Sequence, residues 1–148
     1  MLTPSSEAAV LAVDPGREKA GLAVVSHDGG CIHRQIVPAE DVAKVVAGLA
    51  ERFGVKAVAV GDRTGASLAS AIAADCPRLV VTLVDEHRST EEGRALYLET
   101  VPARGLARLL PRGLRVPQGP VDDFAAWVLG RRYVRSLRAE GEPGAMPG

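Results

Sequence analysis

The sequence predicts an α/β fold in which helices flank one mixed β-sheet, for three reasons. Hydrophobic residues make up 47% of the 148 residues but aromatic residues only 3%, so Ala, Val and Leu must fill the core, which favours packed α/β layers. Apolar, β-branched runs alternate with helical patterns in the order βββαβαβαα. The length suits one domain with a sizeable core, which we place at residues 1–138.

The first three predicted strands form an antiparallel meander. They cover residues 8–14, 20–27 and 31–38, where apolar and β-branched residues dominate. A Pro15-Gly16 turn separates the first two strands, and an Asp-Gly-Gly sequence at 28–30 separates the second from the third. Such turn signals between short strands indicate hairpins.

The rest of the chain alternates helices with buried strands. The strands that begin at residues 8, 55 and 78 are joined through helices, so we expect them to be parallel neighbours. Four prolines and three glycines make residues 101–120 a loop, and we expect residues 139–148 to be a disordered tail. The predicted elements are helix 39–54, strand 55–62, helix 64–77, strand 78–86, helix 89–100 and helix 121–140.

Acidic residues end each of the three strands predicted to be parallel. The first strand ends at Asp14, the second at Asp62 and the third at Asp85-Glu86. Open α/β sheets bind ligands beyond the carboxyl ends of their parallel strands, so these carboxylates should meet at one edge. Asp122 and Asp123 add two more at the start of the last helix. Clustered carboxylates repel one another unless a cation lies among them, and hard oxygen ligands suit Mg²⁺ or Mn²⁺.

Each of these acidic residues also has a structural interpretation when it is taken alone. Asp14 could stabilise the turn before Pro-Gly, and Asp62 could cap the next helix or form an ion pair. Asp122 and Asp123 occupy positions typical of helix N-caps. The neighbouring His87 is either a proton-transfer group or a surface residue. The convergence of several acidic residues on one edge is what favours a functional site.

Positive charge is concentrated near the C-terminus although the formal net charge is zero. Residues 100–138 contain eight arginines and two acidic residues, a local charge of +6. This segment is either a solvated face or a phosphate-binding surface. We favour the second interpretation because arginine supplies all of its positive charge. Trp127, at helical spacing, is predicted to be a core residue rather than a platform for stacking bases.

The N-terminal residues lack a basic start and an apolar stretch, and no apolar run reaches membrane-spanning length. We therefore expect a cytoplasmic protein that makes no membrane contact. Cys31 and Cys76 fit neither a CxxC pattern nor a metal-binding spacing, and we expect two reduced thiols.

An ordered set of motifs gives the sequence a family resemblance. The segments "DPGREKAGLAVV", "VGDRTGA", "VDEHRSTEEGRALY", "ARGLARLLPRGLRVPQGPVDDFAAWVL" and "RRYV" occur in this order between about residues 8 and 138. Together they resemble the YqgF/RuvX family of RNase H-like nucleases, which are described as Holliday junction resolvases or as nucleases of ribosomal RNA precursors. A lone Asp-x-Gly turn is weak evidence, whereas the ordered set with its Pro-rich segment is specific.

The resemblance implies an RNase H-like fold, with the third strand beside the second at one edge of the sheet. It also implies hydrolysis of phosphodiester bonds by a two-metal mechanism with Mg²⁺ or Mn²⁺. Carried over by position, the catalytic and metal-binding residues are Asp14, Glu86 and Asp122. Asp123 and Asp62 are further candidates for metal binding.

The same resemblance implies a nucleic-acid partner, DNA or RNA. The candidate nucleic-acid-binding residues are Arg17, Lys19, Arg88, Arg108, Arg112 and Arg115. Two departures from the family pattern bear on the site. Asp85-Glu86-His87 stands where many members have Asp-Glu-Arg, which leaves the arginine at position 88. "GDRTG" replaces the Gly-Leu-Pro of many members, so that Asp62 is an extra acidic residue.

Three functions are compatible with these features. The first is a metal-dependent nuclease, which would form a homodimer if it resolves junctions, because resolution needs two active sites. The second is a nucleic-acid-binding or ribosome-assembly factor with little catalytic activity. The third is a phosphotransferase, because actin-like kinases also hold nucleotide phosphates with an Asp-x-Gly turn. Those kinases need two such domains, whereas this chain has room for one.

Overall fold

The computed structural model describes residues 7–141, apart from the side chain of Arg112. The strands are β1 (Ala8–Asp14), β2 (Lys19–Ser26), β3 (Cys31–Pro38), β4 (Ala57–Gly61) and β5 (Val80–Val84). The α-helices are α1 (Val42–Phe53), α2 (Ala66–Asp75), α3 (Ser89–Thr100) and α4 (Asp122–Gly141). Short 3₁₀ helices cover Ala39–Asp41, Gly105–Leu109 and Arg112–Leu114.

The five strands form one mixed sheet in the order β3-β2-β1-β4-β5. β1, β2 and β3 are antiparallel neighbours, and β4 and β5 continue the sheet parallel to β1. The predicted α/β fold is therefore confirmed, with three antiparallel strands followed by two parallel ones. The third strand lies at one edge beside the second, as the family resemblance implies. In the β2–β3 turn, Gly29 adopts a φ of 88°, which glycine reaches without steric cost.

Apolar side chains cover both faces of the sheet, so the molecule has three layers. Alternate residues of a strand point to opposite faces, and β1 and β2 are buried on both. One face packs against α1 and α2, through residues that include Val46, Leu49 and Ile72. The other packs against α3 and α4, through residues that include Leu96, Phe124 and Leu129.

Helix α4 is fixed to the sheet and to α3 by specific contacts. The indole nitrogen of Trp127 donates a hydrogen bond of 2.8 Å to the carbonyl of Gly29, in the β2–β3 turn. The Arg131 guanidinium covers the indole, 4.8 Å from the ring centroid. A Cβ atom at Gly93 of α3 would lie 2.8 Å from the backbone nitrogen of Ala125, so glycine permits the close packing of α3 on α4. Trp127 is 9% exposed, which confirms its predicted place in the core.

Three local features differ from the sequence-based expectations. The predicted loop 101–120 contains two of the 3₁₀ helices. The Ser89-x-x-Glu92 pattern predicts a capping box, but Arg88 occupies the N-cap position of α3, so Ser89 lies inside the helix and no side chain caps it. Helix α4 continues through Gly141, into the segment expected to be a tail. The remainder of that segment, residues 142–148, lies outside the described residues.

Within residues 7–141, the structure contains no helix that is both long and apolar enough to cross a membrane.

Candidate active site

The three parallel strands end side by side at one edge of the sheet. The pairing of β1 with β4 ends at Val13–Val60, and the pairing of β4 with β5 ends at the adjacent position, Gly61–Val84. Asp14 is the last residue of β1, and Glu86 lies two residues beyond the end of β5. The chain thus delivers two of the predicted catalytic carboxylates to the edge where α/β sheets bind ligands.

Helix α4 begins at the same edge because Gly21 leaves room for it. Gly21 is the partner of Asp14 in the β1–β2 ladder. A Cβ atom at Gly21 would overlap the backbone carbonyl of Asp122 and lie 2.6 Å from the backbone nitrogen of Asp123. This approach of helix backbone to strand backbone brings Asp122, the third predicted catalytic residue, to the end of β1.

Glu86 is 7% exposed, which is unusual for a carboxylate. Its Oε2 atom is buried and has no hydrogen-bond partner. Gly61 provides the space for this oxygen, because a Cβ atom there would overlap it. The other carboxylate oxygen, Oε1, lies 3.6 Å from Nε of Arg63. A buried oxygen without a partner destabilises the fold unless a proton or a cation satisfies it.

The Asp14 carboxyl group responds to its acidic neighbours. Burial, together with the charges of Glu86 and Asp122, raises the pKa of Asp14 from 3.8 to about 7, and Arg63 partly offsets this rise. Burial also raises the pKa of Glu86, against the lowering effect of Arg63. Both directions are those expected of carboxylates crowded together in a poorly solvated place. Asp14 therefore lies within electrostatic reach of both other predicted catalytic residues.

These residues fit a hard divalent cation by their chemistry. The unpartnered oxygen of Glu86 and the raised pKa of Asp14 both indicate uncompensated negative charge, which a cation would stabilise. However, no three Asp, Glu, His or Cys side chains within residues 7–141 are arranged closely enough to hold an ion between them. That Asp14, Glu86 and Asp122 bind metal therefore stays a prediction.

The Asp123 side chain contacts β3. Its Oδ2 atom lies 3.4 Å from Nε of Arg34, and its side chain is 16% exposed. The Arg34 guanidinium also covers the ring of Phe124, 4.1 Å from the centroid. Burial raises the pKa of Asp123, and Arg34 counteracts the rise. Asp123, in the first turn of α4, therefore has a structural partner in Arg34 of β3.

Asp62 and His87 lie beside the site in positions that favour structural roles. The Asp62 carboxylate accepts a hydrogen bond of 3.3 Å from the backbone nitrogen of Glu86. Asp62 therefore holds the turn that carries Glu86, and its part in metal binding stays a prediction. His87 is exposed, and its backbone nitrogen donates to the Asp85 carboxylate at 2.9 Å.

The predicted nucleic-acid-binding residues occupy varied surroundings. Arg17 is exposed, and Lys19 Nζ lies 3.4 Å from Oδ2 of Asp122. Arg88 pairs with Glu91 at 3.1 Å. Arg108 is exposed, whereas Arg115 bonds the carbonyls of its own loop, and the side chain of Arg112 lies outside the described part of the chain.

The motifs alone do not single out Arg63, Arg34 and Arg132. Arg63 contacts Glu86, and Arg34 contacts Asp123 across 89 positions of sequence. Arg132 bonds the backbone of the turn around Glu86, 45 to 47 positions away. No local spacing indicates such pairs. Arg63 and Arg132 do lie within the quoted motifs "VGDRTGA" and "RRYV", whereas Arg34 lies outside every quoted motif.

The pKa of Asp14 leads to a prediction about stability. The pKa of Asp14 is about 7 in the folded protein and 3.8 in the unfolded chain, so at pH values between 3.8 and about 7 the folded protein binds more protons. The free energy of unfolding should therefore fall as the pH rises toward about 7. Urea denaturation from about pH 5 to about pH 8 measures this fall. Asp14→Asn should flatten the profile. If the free energy of unfolding depended on pH equally in the wild type and in Asp14→Asn, the raised pKa of Asp14 would be contradicted.

No protein-family model and no curated protein match the chain. Solved structures do resemble it. RuvC of Thermus thermophilus, in complex with Holliday junction substrate, matches with a TM-score of 0.56 and 18% identity, over 87% of this chain and 94% of RuvC. Another structure of the same RuvC gives a TM-score of 0.55 and 18% identity, over 90% and 96%. The fold is that of RuvC. The predicted RNase H-like fold is thereby confirmed.

A partial likeness links the chain to a larger enzyme. A sugar kinase of Cytophaga hutchinsonii matches 57% of this chain with 13% identity and a TM-score of 0.45. This chain spans 38% of the kinase's length. The likeness covers too little of either chain to support a conclusion about activity.

Proposed function

We propose that this chain is a metal-dependent nuclease of the YqgF/RuvX family, which hydrolyses phosphodiester bonds in Holliday junction DNA or ribosomal RNA precursors. One observation carries the proposal. Burial and the nearby carboxylates of Glu86 and Asp122 raise the pKa of Asp14 to about 7 at the end of β1. The RuvC fold, known in a complex with Holliday junction substrate, supports it.

In this proposal, Asp14, Glu86 and Asp122 hold Mg²⁺ or Mn²⁺, because such ions prefer carboxylate oxygens. Such ions, held by these carboxylates, would supply an activated water molecule and would stabilise the leaving oxygen of the phosphodiester. The protein keeps Glu86 shielded from water and holds Asp14 and Asp122 at the sheet edge. Asp14 must release its proton on metal binding, because a coordinating carboxylate is ionised.

Two basic side chains lie at the edge of the sheet where Asp14, Glu86 and Asp122 are found, which we call the acidic edge. Lys19 pairs with Asp122 and Arg63 with Glu86, and these two basic side chains are 53% and 69% exposed. The Lys19–Asp122 pair is partly exposed on both sides, so Lys19 can leave at small cost. Glu86 is buried, so Arg63 can leave at small cost only when a cation takes its place. In the nuclease, they would turn to substrate phosphates once metal ions neutralise the acidic residues.

The segment between α3 and α4 is suited to bind substrate phosphates on either side of the bond that is cleaved. It contains no acidic residue between positions 101 and 121, and Arg104 and Arg108 are exposed. Arg115 braces it, because its guanidinium donates to the carbonyls of Leu110 and Arg108 at 3.0 and 3.2 Å. A braced loop presents its charges with a smaller loss of conformational entropy on binding.

A second candidate function is a nucleic-acid-binding or ribosome-assembly factor with little catalytic activity. Its specific support is that Lys19 and Arg63 already neutralise part of the acidic edge, in a site without an assembled group of three carboxylates among residues 7–141. Such a protein would bind nucleic acid through the same surface but would leave it intact.

Cleavage assays distinguish the two functions. Labelled four-way junctions, duplexes and single strands of DNA and RNA are incubated with the full chain and Mn²⁺. A nuclease should cut at least one of them, and Asp14→Asn should lower the rate about 100-fold or more, because loss of even an outer-shell contact to a metal site costs about 10–100-fold. Binding without cleavage would favour the assembly factor. Cleavage that survives Asp14→Asn would place the active site elsewhere.

A further inference from the structure

The turn that carries Glu86 has a strained backbone. Arg88 adopts φ 60° and ψ 14°, and among residues 7–141 it is the single non-glycine residue with a positive φ. A residue with a Cβ atom is disfavoured in this left-handed region. Such strain persists only where surrounding contacts fix the conformation, and it concentrates at functional sites.

Arg132 of α4 supplies those contacts from the opposite side. Its NH1 group donates a hydrogen bond of 2.7 Å to the carbonyl of Asp85, and its NH2 group donates one of 2.7 Å to the carbonyl of His87. The guanidinium therefore spans the carbonyls of the residues just before and just after Glu86. Glu92 of α3 anchors the same NH2 group at 2.7 Å. The Arg132 side chain is 22% exposed.

The backbone nitrogen and carbonyl of Glu86 itself also form hydrogen bonds. Its nitrogen donates to the Asp62 carboxylate at 3.3 Å, and its carbonyl accepts a bond of 3.0 Å from the nitrogen of Ser89. With the backbone fixed in this way, the side chain enters the space above Gly61 and leaves Oε2 without a partner. The orientation of the buried carboxylate thus depends on how firmly the turn is held.

We propose that Arg132 is a positioning residue, which sets Glu86 for metal binding by clamping the two carbonyls that flank it. The planar guanidinium matches two acceptors at once, whereas a lysine ammonium would reach one of them as a point charge. The proposal rests on the proposed function, because it gives Glu86 a metal to bind. It assigns the second arginine of the "RRYV" motif a role that is separate from nucleic-acid contact.

Arg132→Gln and Arg132→Lys test the proposal, with Arg135→Gln as the matched control. Arg135 lies in the same groove between α3 and α4, and it forms no hydrogen bond with the turn at residues 85–88 in the described structure. Amide hydrogen exchange at Glu86 and Ser89 is measured without metal, and Mn²⁺ affinity is measured by calorimetry on the folded full-length chain. Steady-state cleavage kinetics supply KM and kcat.

In Arg132→Gln we expect exchange at the Ser89 amide to accelerate about tenfold, because a charge-assisted clamp is lost. Mn²⁺ affinity should fall about 10–100-fold, as for other residues that orient metal ligands. The value of kcat should fall while KM for nucleic acid stays unchanged. Arg132→Lys should be intermediate, and Arg135→Gln should match the wild type in turn exchange and Mn²⁺ affinity.

Wild-type turn exchange and Mn²⁺ affinity in Arg132→Gln would overturn the proposal, as would an equal loss of Mn²⁺ affinity in Arg135→Gln. If Arg132→Gln does not fold, Arg132→Lys decides by the same two measurements. A wild type that binds Mn²⁺ but cleaves no substrate would contradict the proposed function, while an effect of Arg132→Gln on exchange and affinity would still support positioning.

Discussion

Asp122→Asn is expected to lower the single-turnover cleavage rate about 100-fold or more in saturating Mn²⁺, a loss at least as large as that caused by an outer-shell change at a metal site. Asp122 faces the acidic edge, because its charge helps to raise the pKa of Asp14 and its Oδ2 atom lies 3.4 Å from Lys19. The amide keeps the size of the side chain but loses the charge that would hold the ion. The fold should therefore survive.

Asp123→Asn is the matched comparison and should keep most of the wild-type rate. Its carboxylate contacts Arg34 of β3, so its loss should lower the melting temperature rather than the rate. Successive residues of a helix point about 100° apart, so both cannot face the same ion. An inactive Asp123→Asn together with an active Asp122→Asn would show that the assignment is off by one residue. Asp122 would then be a helix cap.

Gly21→Ala should destabilise the protein by about 3 kcal/mol, at the upper end of the usual cost of overpacking. Its Cβ atom would meet the backbone of Asp122 and Asp123, which cannot move aside without shifting α4. A loss of this size lowers the melting temperature by about 10 °C in a domain of this length. Cleavage should also fall, because α4 carries Asp122. Thermal denaturation and single-turnover assays measure both effects.

Gly48→Ala provides the control for Gly21→Ala. Gly48 lies inside α1, and a Cβ atom there would meet no other atom within 4 Å. Alanine should stabilise the helix by about 0.5–1 kcal/mol, through its lower conformational entropy in the unfolded chain. If Gly21→Ala were as stable as Gly48→Ala, the contact between β2 and α4 would be looser than the structure describes.

The sequence predicts the architecture well because its signals are local. The Asp-Gly-Gly turn and the alternating apolar runs specify the first hairpins, and helical spacing with Gly54 as a stop specifies α1. The capping box predicted at the start of α3 is wrong. The residues match the local pattern, but Arg88 takes the N-cap position, and Glu92 pairs with Arg132 of α4.

The acidic edge was predictable from topology, whereas its partners were not. Carboxylates that follow parallel strands must meet at one edge, which brings Asp14 and Glu86 together. The choice of Asp122 over Asp123 rested on the family resemblance, and the contact of Asp123 with Arg34 now supports it physically. The pairing of Arg63 with Glu86 depends on how helices and strands pack, which no spacing in the sequence encodes.

Trp127 gives the protein an optical probe of its own. It is the sole tryptophan of the chain, and its indole N–H is bonded to the carbonyl of Gly29 at 2.8 Å beneath the guanidinium of Arg131. Indole fluorescence shifts in wavelength when such a bond is exchanged for water. Its emission spectrum will therefore report whether α4 is packed against the β2–β3 turn. The detachment of the helix that carries Asp122 can be timed by stopped flow without any attached dye.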